Sequence, residues 1–434
     1  MQVVINPDRK DWKTILQRPY ADNGAVLRTV RDVLSEVKAR GDEALKELTQ
    51  RFGGISLESF AVSDEEIFAA GNELTDELKH AIQQAALNIE DFHVHQVSDV
   101  DLIEFTPGIQ CWRKSVGIEK VGLYIPGGTA PLFSTVLMLA IPAQLAGCKE
   151  IVLCTPCDKE GKVHPAILYA AQECGVTNVF KLGGAQAIAA MAFGTETVPG
   201  VYKIFGPGNQ YVTAAKQLVQ MQGIAIDMPA GPSEVCVMAD ESADAKFVAA
   251  DLLSQAEHGV DSQVLLVSTE LSIVNKVQEE VEKQLSNLSR KELAEKALAN
   301  SKAIVVKNLD EAIDLVNEYA AEHLIISCKD ADAIAERIVN AGSVFIGNYS
   351  PESVGDYASG TNHTLPTNGF AKAYSGVSVD SFVKKITYQK LSEEGLKNIA
   401  STVVQMAEAE GLDAHANAVK VRIAHPDLPG GKAI

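Results

Sequence analysis

Hydrophobic and polar positions fall into three textures along the chain. From residue 25 to 52 apolar residues recur every three or four positions, with Val26, Val30, Val33, Leu34 and Val37 on one predicted helix face. Ser63 followed by Glu66 is a capping box opening a second helix, and another helix is expected from about Thr75 to His93. Two extended runs then flank Pro107-Gly108, the pattern of a hairpin. From Val121 the texture changes to short β-branched apolar runs: VGLYIP, IVLCTP, NVFKLGG and YKIFGPG, then EVCVMAD, QVLLVS, AIVVKN, HLIIS and SVFIGN. Helical stretches such as AQAIAAMAF and FVAADLLSQAEH lie between them. Near-continuous apolar strands joined by crossover helices indicate parallel sheet buried on both faces.

The two strand series divide near MPAGPSE, residues 228–234, so two α/β units in tandem are expected. Their shared rhythm suggests duplication, although no residue-level repeat is visible. The last sixty residues read as helical, through SFVKKITYQKLSEEGLKNIASTVVQMAEAEG and LDAHANAVKVRIAH, with no evident core of their own. They are expected to pack on the body or on a partner subunit, with the closing HPDLPGGKAI mobile. The fold class is therefore α/β, with two incomplete Rossmann-like parallel-sheet domains. The expected divisions are a helical segment 1–108 packing on the core, α/β domains 109–230 and 231–376, and a helical tail 377–434.

A length of 434 residues, 46% hydrophobic and 22% charged, suits a folded protein with a large core. The net charge of −19 argues against nucleic acid or an anionic membrane as partner, since both require a basic footprint. No uncharged apolar run reaches transmembrane length, and the N-terminus lacks a signal-peptide core, so a cytoplasmic protein is expected. The odd number of Cys, seven, fits reduced buried thiols; Cys154 and Cys157 have CxxC spacing but no second pair to complete a zinc knuckle.

The candidate chemistry is concentrated downstream. In DLLSQAEHG, read as a helix ended by Gly259, Gln255 and His258 are three apart on one face. Taken alone, a histidine at a helix end is more simply satisfied by local hydrogen bonds. Asp356 and His363 share a Gly/Ser/Asp-rich loop, where turn chemistry is the simpler reading. Glu322-His323 precedes the strand LIIS; in extended chain one side chain would face a site and the other support it, whereas in a loop both could serve. Glu410 and His415 flank Gly411 on what would otherwise be a solvated helix face. Three glycine turns follow strands, at Gly127-Gly128, Gly183-Gly184 and Gly206-Pro207-Gly208. None is a GxGxxG fingerprint, but three in one α/β unit favour a nucleotide at the strand ends, near Tyr124, Gln186 and Asn209.

VGLYIPGGTAPLFSTVLMLA, KLGGAQAIAAMAFGTETVP, KIFGPGNQYV, IDMPAGPSEV, DLLSQAEHG, AEHLII, SPESVGDYASGTNHTLPT and EGLDAHANAV occur in order over residues 20–425. Together they resemble the histidinol dehydrogenase family. That resemblance implies a homodimer that oxidises L-histidinol to L-histidine in two NAD-dependent steps, with one zinc ion (Zn2+) per site. It implies Gln255, His258, Asp356 and His415 as metal ligands and Glu322 and His323 as the acid/base pair. Ser233, His363 and Glu410, with the metal ligands and His323, would contact substrate; Tyr124, Gln186 and Asn209 would contact NAD+. The tails would be exchanged, so that Glu410 and His415 come from the other subunit. Two imidazoles, an amide oxygen and a carboxylate form a borderline donor set with room for substrate nitrogens. His323 would take the alcohol proton and Glu322 would activate the water for the second oxidation. The alternatives are a zinc hydrolase with Glu322 as base, and a non-catalytic metal- or nucleotide-binding protein.

Overall fold

A computed structural model of the chain describes residues 1–19, 24–97, 100–127, 130–229 and 231–424. Gly128 of the first glycine turn and the closing stretch 425–434 lie outside the described residues. The contacts divide the chain into two units, one of residues 1–96 and 118–382, the other of residues 97–117 and 383–434.

The first unit holds two parallel sheets. One is built from β4 (Lys120–Tyr124), β5 (Glu150–Thr155), β6 (Asn178–Lys181), β7 (Lys203–Phe205) and β8 (Ala225–Ile226) in the order β6-β5-β4-β7-β8. The other is built from β9 (Glu234–Ala239), β10 (Gln263–Ser268), β11 (Lys302–Val305), β12 (His323–Ser327) and β13 (Ser343–Ile346), with β1 (Gln2–Ile5) added at one edge, in the order β1-β11-β10-β9-β12-β13. Counted from its own first strand, each sheet runs third, second, first, fourth, fifth. The shared rhythm of the two strand series is thus a shared topology, that of a doubly wound sheet. All six residues of β9 and of β10 are buried, as strands covered on both faces require. Helices Gly24–Arg40 and Asp42–Gly53 add Val30, Val37, Leu45 and Leu48 to the core that contains Ile188 and Val212. The single helical pattern over 25–52 breaks because Gly41 takes φ +54° between them.

The second unit is an antiparallel sheet of β2 (Leu102–Thr106), β3 (Ile109–Gly117) and β14 (Val383–Leu391), followed by helices Glu393–Ala409 and Asp413–Ile423. The hairpin at Pro107-Gly108 forms, with Gly108 at φ +79°. VKKITYQKL, expected to be helical, is instead a strand paired along its whole length with β3, and Trp112 stacks on Tyr388 across the pair at 5.3 Å. Gln2–Ile5 is likewise a strand, not part of a purely helical front. Among the described residues no helix is long and apolar enough to cross a membrane, and all seven Cys are free thiols.

Candidate active site

The first sheet opens a cavity of about 840 Å³ at the carboxyl ends of its strands. The strand order reverses between β4 and β7, where doubly wound sheets bind ligands. Tyr124, Gln186 and Asn209 all line this cavity, together with Gly127, Gly183 and Gly184. Tyr124, the last residue of β4, accepts a hydrogen bond at its Oη from the Gly184 N–H at 3.0 Å. Burial pushes its phenol up to about 12, so it stays a neutral donor. Asn209 caps helix Gln210–Gln220, its Oδ1 accepting from the N–H groups of Tyr211 and Val212 at 3.0 and 3.2 Å. Helix Gly184–Phe193 also starts on the cavity, and neither helix has an acidic residue in its first turn. Gly206 has φ +121°, and a Cβ there would lie 2.1 Å from the Tyr124 carbonyl oxygen, so the turn admits only glycine. At the corresponding edge of the second sheet the cavity lined by Met238, Asp240 and Ser268 is only about 130 Å³.

The second sheet carries its chemistry at the opposite edge, the amino ends of β9 and β12. His323 opens β12, in register with Val235 of β9 and Ser343 of β13. Glu322 sits just before the strand. Glu322 is in a bend outside the strand, so the loop alternative holds and the two side chains come together; both are buried, with His323 Nδ1 3.8 Å from Glu322 Oε2. His323 Nδ1 is also 3.4 Å from the Glu234 carbonyl, which can only accept, so the proton belongs on Nδ1. Nε2 then is the basic nitrogen; it is buried, lacks an aligned hydrogen bond and faces Asp356 Oδ1 at 3.4 Å.

Asp356 lies in the last turn of a short helix, Glu352–Tyr357, rather than in the expected loop, while His363 is in the loop that follows. His363 Nδ1 donates to the Asp356 carbonyl at 2.9 Å, leaving Nε2 to accept from Thr135 Oγ1 at 3.1 Å. Thr135 belongs to helix Phe133–Leu145, which begins two residues after Pro131 of the cavity lining.

Helix Ala245–Ala256 ends two residues earlier than the His258 reading needs: Gln255 is in its last turn, and His258 lies just beyond, its N–H bonded to the Gln255 carbonyl at 3.2 Å. Glu257 caps the end in right-handed geometry, so Gly259 does not supply a left-handed turn. Gln255 is 1% exposed, and neither its Oε1 nor its Nε2 has a partner. Ser254 beside it donates from Oγ to Glu352 Oε1 at 2.8 Å. Ser233 is half-buried immediately before β9, and its carbonyl accepts from the Gln263 N–H at 3.2 Å. Glu410 and His415 belong to the second unit, where both are exposed, Glu410 capping helix Glu393–Ala409 and His415 in the first turn of helix Asp413–Ile423.

The electrostatics follow from burial around one imidazole. Burial pushes Glu322 up to about 8 and Glu352 up to about 7, in both cases against the pull of His323. Burial opposes the His323 imidazolium, but Glu322, Asp356 and Glu352 together raise it to about 10. Burial works against the charged form of Asp356, yet its contact with His323 holds it below the usual carboxylate range. Burial keeps His258 and His363 low, which favours neutral rings able to act as ligands or acceptors.

Four residues of this cluster carried no signal in the sequence. Glu352 is 1% exposed, with its Oε2 3.8 Å from His323 Nδ1, and it lies four residues before Asp356 on the same helix. Thr135 holds His363, Asp251 is pushed up to about 7 by burial one turn before Gln255, and Glu234 offers its backbone to both Glu322 and His323.

A family model for histidinol dehydrogenase matches residues 16–423. The chain belongs to the histidinol dehydrogenase family. It is 60% identical to the histidinol dehydrogenase of Bacteroides fragilis (strain YCH46), over 98% of this chain and 99% of the relative. Identity to that of Xanthomonas campestris pv. campestris (strain ATCC 33913) is 54%, over 94% of this chain and 95% of the relative. The crystal structure of histidinol dehydrogenase from Elizabethkingia anophelis superposes with a TM-score of 0.95 at 55% identity, covering 97% of this chain and 98% of that one. As a member of the histidinol dehydrogenase family the chain is an oxidoreductase, which sets aside the hydrolase and non-catalytic alternatives.

Proposed function

We propose that this chain oxidises L-histidinol to L-histidine through L-histidinaldehyde, the last step of histidine biosynthesis, using NAD+ and one zinc ion per site. The observation that carries the reading is the buried cluster of Glu322, His323 and Asp356, with His363 held beside it by Thr135 of the helix that follows the cavity-lining residues Ala130 and Pro131.

The cavity suits a dinucleotide. Its position at the strand switch, two helix N-termini free of acidic side chains, and glycines that let backbone approach a phosphate all favour an anionic ligand. Tyr124, Gln186 and Asn209 are the residues proposed to contact it. When bound, NAD+ supplies the two-electron acceptor for each oxidation.

The metal reading rests on Gln255. An amide with both atoms buried and unpaired is costly unless something takes its oxygen. Among the described residues no three His, Cys, Asp or Glu side chains form a metal-binding group. The proposed donor set contains only two of those residue types in the first unit, His258 and Asp356; the third donor is the Gln255 oxygen and the fourth, His415, is in the second unit. Two neutral imidazoles, an amide and a carboxylate suit zinc. When bound, the ion would supply a fixed positive charge that holds the substrate's amine and imidazole nitrogens.

This chain's residues handle the protons. His323 accepts the alcohol proton at Nε2. It needs the neutral ring for that, and with Asp356 committed to a cation one of the three carboxylates favouring the imidazolium is withdrawn. Once His323 is charged it favours ionised Glu322, which can then take a proton from the water that adds to the aldehyde. Burial of both groups protects the aldehyde from bulk water between the steps. Ser233, His363 and Glu410 are proposed to complete the substrate pocket. His415 and Glu410 are proposed to come from an exchanged tail in a homodimer, within a cytoplasmic protein. Incubation with histidinol and NAD+ should yield histidine, and a strong chelator should stop it; undiminished histidine formation in chelator would contradict the metal reading.

A further inference from the structure

Glu234 is the first residue of β9, and its backbone lies between the two proposed proton-transfer groups. Its N–H donates to Glu322 Oε2 at 2.9 Å, and its carbonyl faces His323 Nδ1 at 3.4 Å. The placement of this one peptide segment therefore sets where both groups stand. Its own side chain is buried, 2% exposed, and points to a different set of partners. Arg18, 216 residues earlier, grips it with a fork: Nε to Oε2 at 2.6 Å and Nη2 to Oε1 at 3.0 Å. Nη2 also donates to the Tyr319 carbonyl at 2.7 Å, and the guanidinium lies over the Tyr319 ring at 4.1 Å. The Tyr319 hydroxyl reaches Glu234 Oε2 at 3.2 Å and Gln263 Oε1 at 2.9 Å, so one carboxylate joins the front of the chain to β9, β10 and the helix before β12.

We propose that Arg18, acting through Glu234, is a positioning residue for Glu322 and His323. The inference rests on the roles proposed above for that pair. A planar fork that also stacks fixes both the direction and the height of the carboxylate, which a point charge does not. A structural ion pair needs no connection to the catalytic groups; this one shares its acidic residue with both of them. Small displacements at such a point matter, because misplacing a reacting group by about 1 Å costs on the order of a hundredfold in rate.

Two variants test it. Arg18→Lys keeps a cation beside Glu234 but loses the fork and the stack. The pair Arg18→Met with Glu234→Gln removes both charges together, so no buried charge is left alone. Each folded variant should lose at least about tenfold in kcat while KM for histidinol and NAD+ stays within about twofold, and the pH profile of kcat/KM should move. Amide hydrogen exchange over residues 233–236 should rise, with β11 unchanged. Parental kcat and pH profile in either folded variant would overturn the inference, as would failure of both to fold, which would make the pair a plain stability element. No turnover by the unmodified chain would instead sink the proposed function, and the exchange result would then decide the positioning role by itself.

Discussion

Replacing Gln255 by Leu should raise the stability of the metal-free protein while removing its response to zinc. Gln255 is 1% exposed, and both its amide atoms lack partners. A buried polar group left unpaired costs about 1–3 kcal/mol, whereas an apolar side chain of similar size carries no such cost. Metal-free Gln255→Leu should therefore unfold at higher urea than the metal-free parent, by about 1–3 kcal/mol. Zinc acts the other way: a ligand at a hundred times its Kd stabilises the folded state by about 2.7 kcal/mol, a gain that the parent should show and the variant should largely lose. The assay is urea unfolding of both proteins after chelation and again with added zinc. A metal-free variant less stable than the metal-free parent would refute the reasoning, because the amide would then be serving packing. So would equal stabilisation of the two by zinc.

Three further outcomes are expected. Glu322→Gln should impair oxidation of supplied histidinaldehyde far more than oxidation of histidinol, seen by following NADH with each substrate; equal losses would deny Glu322 its role with water. Tyr124→Phe removes the acceptor for the Gly184 N–H and should weaken NAD+ binding by about 1 kcal/mol, several-fold in KM, with kcat for histidinol little changed. Inactive His415→Ala and inactive Asp356→Ala chains, mixed under exchange conditions, should regain activity if tails are shared, and should regain none if His415 serves its own chain.

Most of the strands were legible because each is a short, nearly continuous apolar run, the mark of sheet buried on both faces. β14 was not: VKKITYQKL is mainly exposed, so its alternation is weak and only the pairing with β3 reveals it. β1 is four residues long and joins a sheet whose other strands begin more than two hundred residues later. The candidate nucleotide contacts were visible as polar residues beside glycine turns that do line one cavity. Glu352 was hidden because a glutamate between Pro351 and Ser353 looks like a solvated loop residue, and its burial depends on a helix too short to show periodicity. Arg18 and Glu234 were hidden by distance, since no local pattern marks a pair 216 residues apart.

The most direct test of two oxidations at one site is the yield of NADH from a limiting amount of histidinol. Two NADH per histidinol are expected, with histidine as the product and no free aldehyde. One NADH per histidinol, with the aldehyde released, would contradict it.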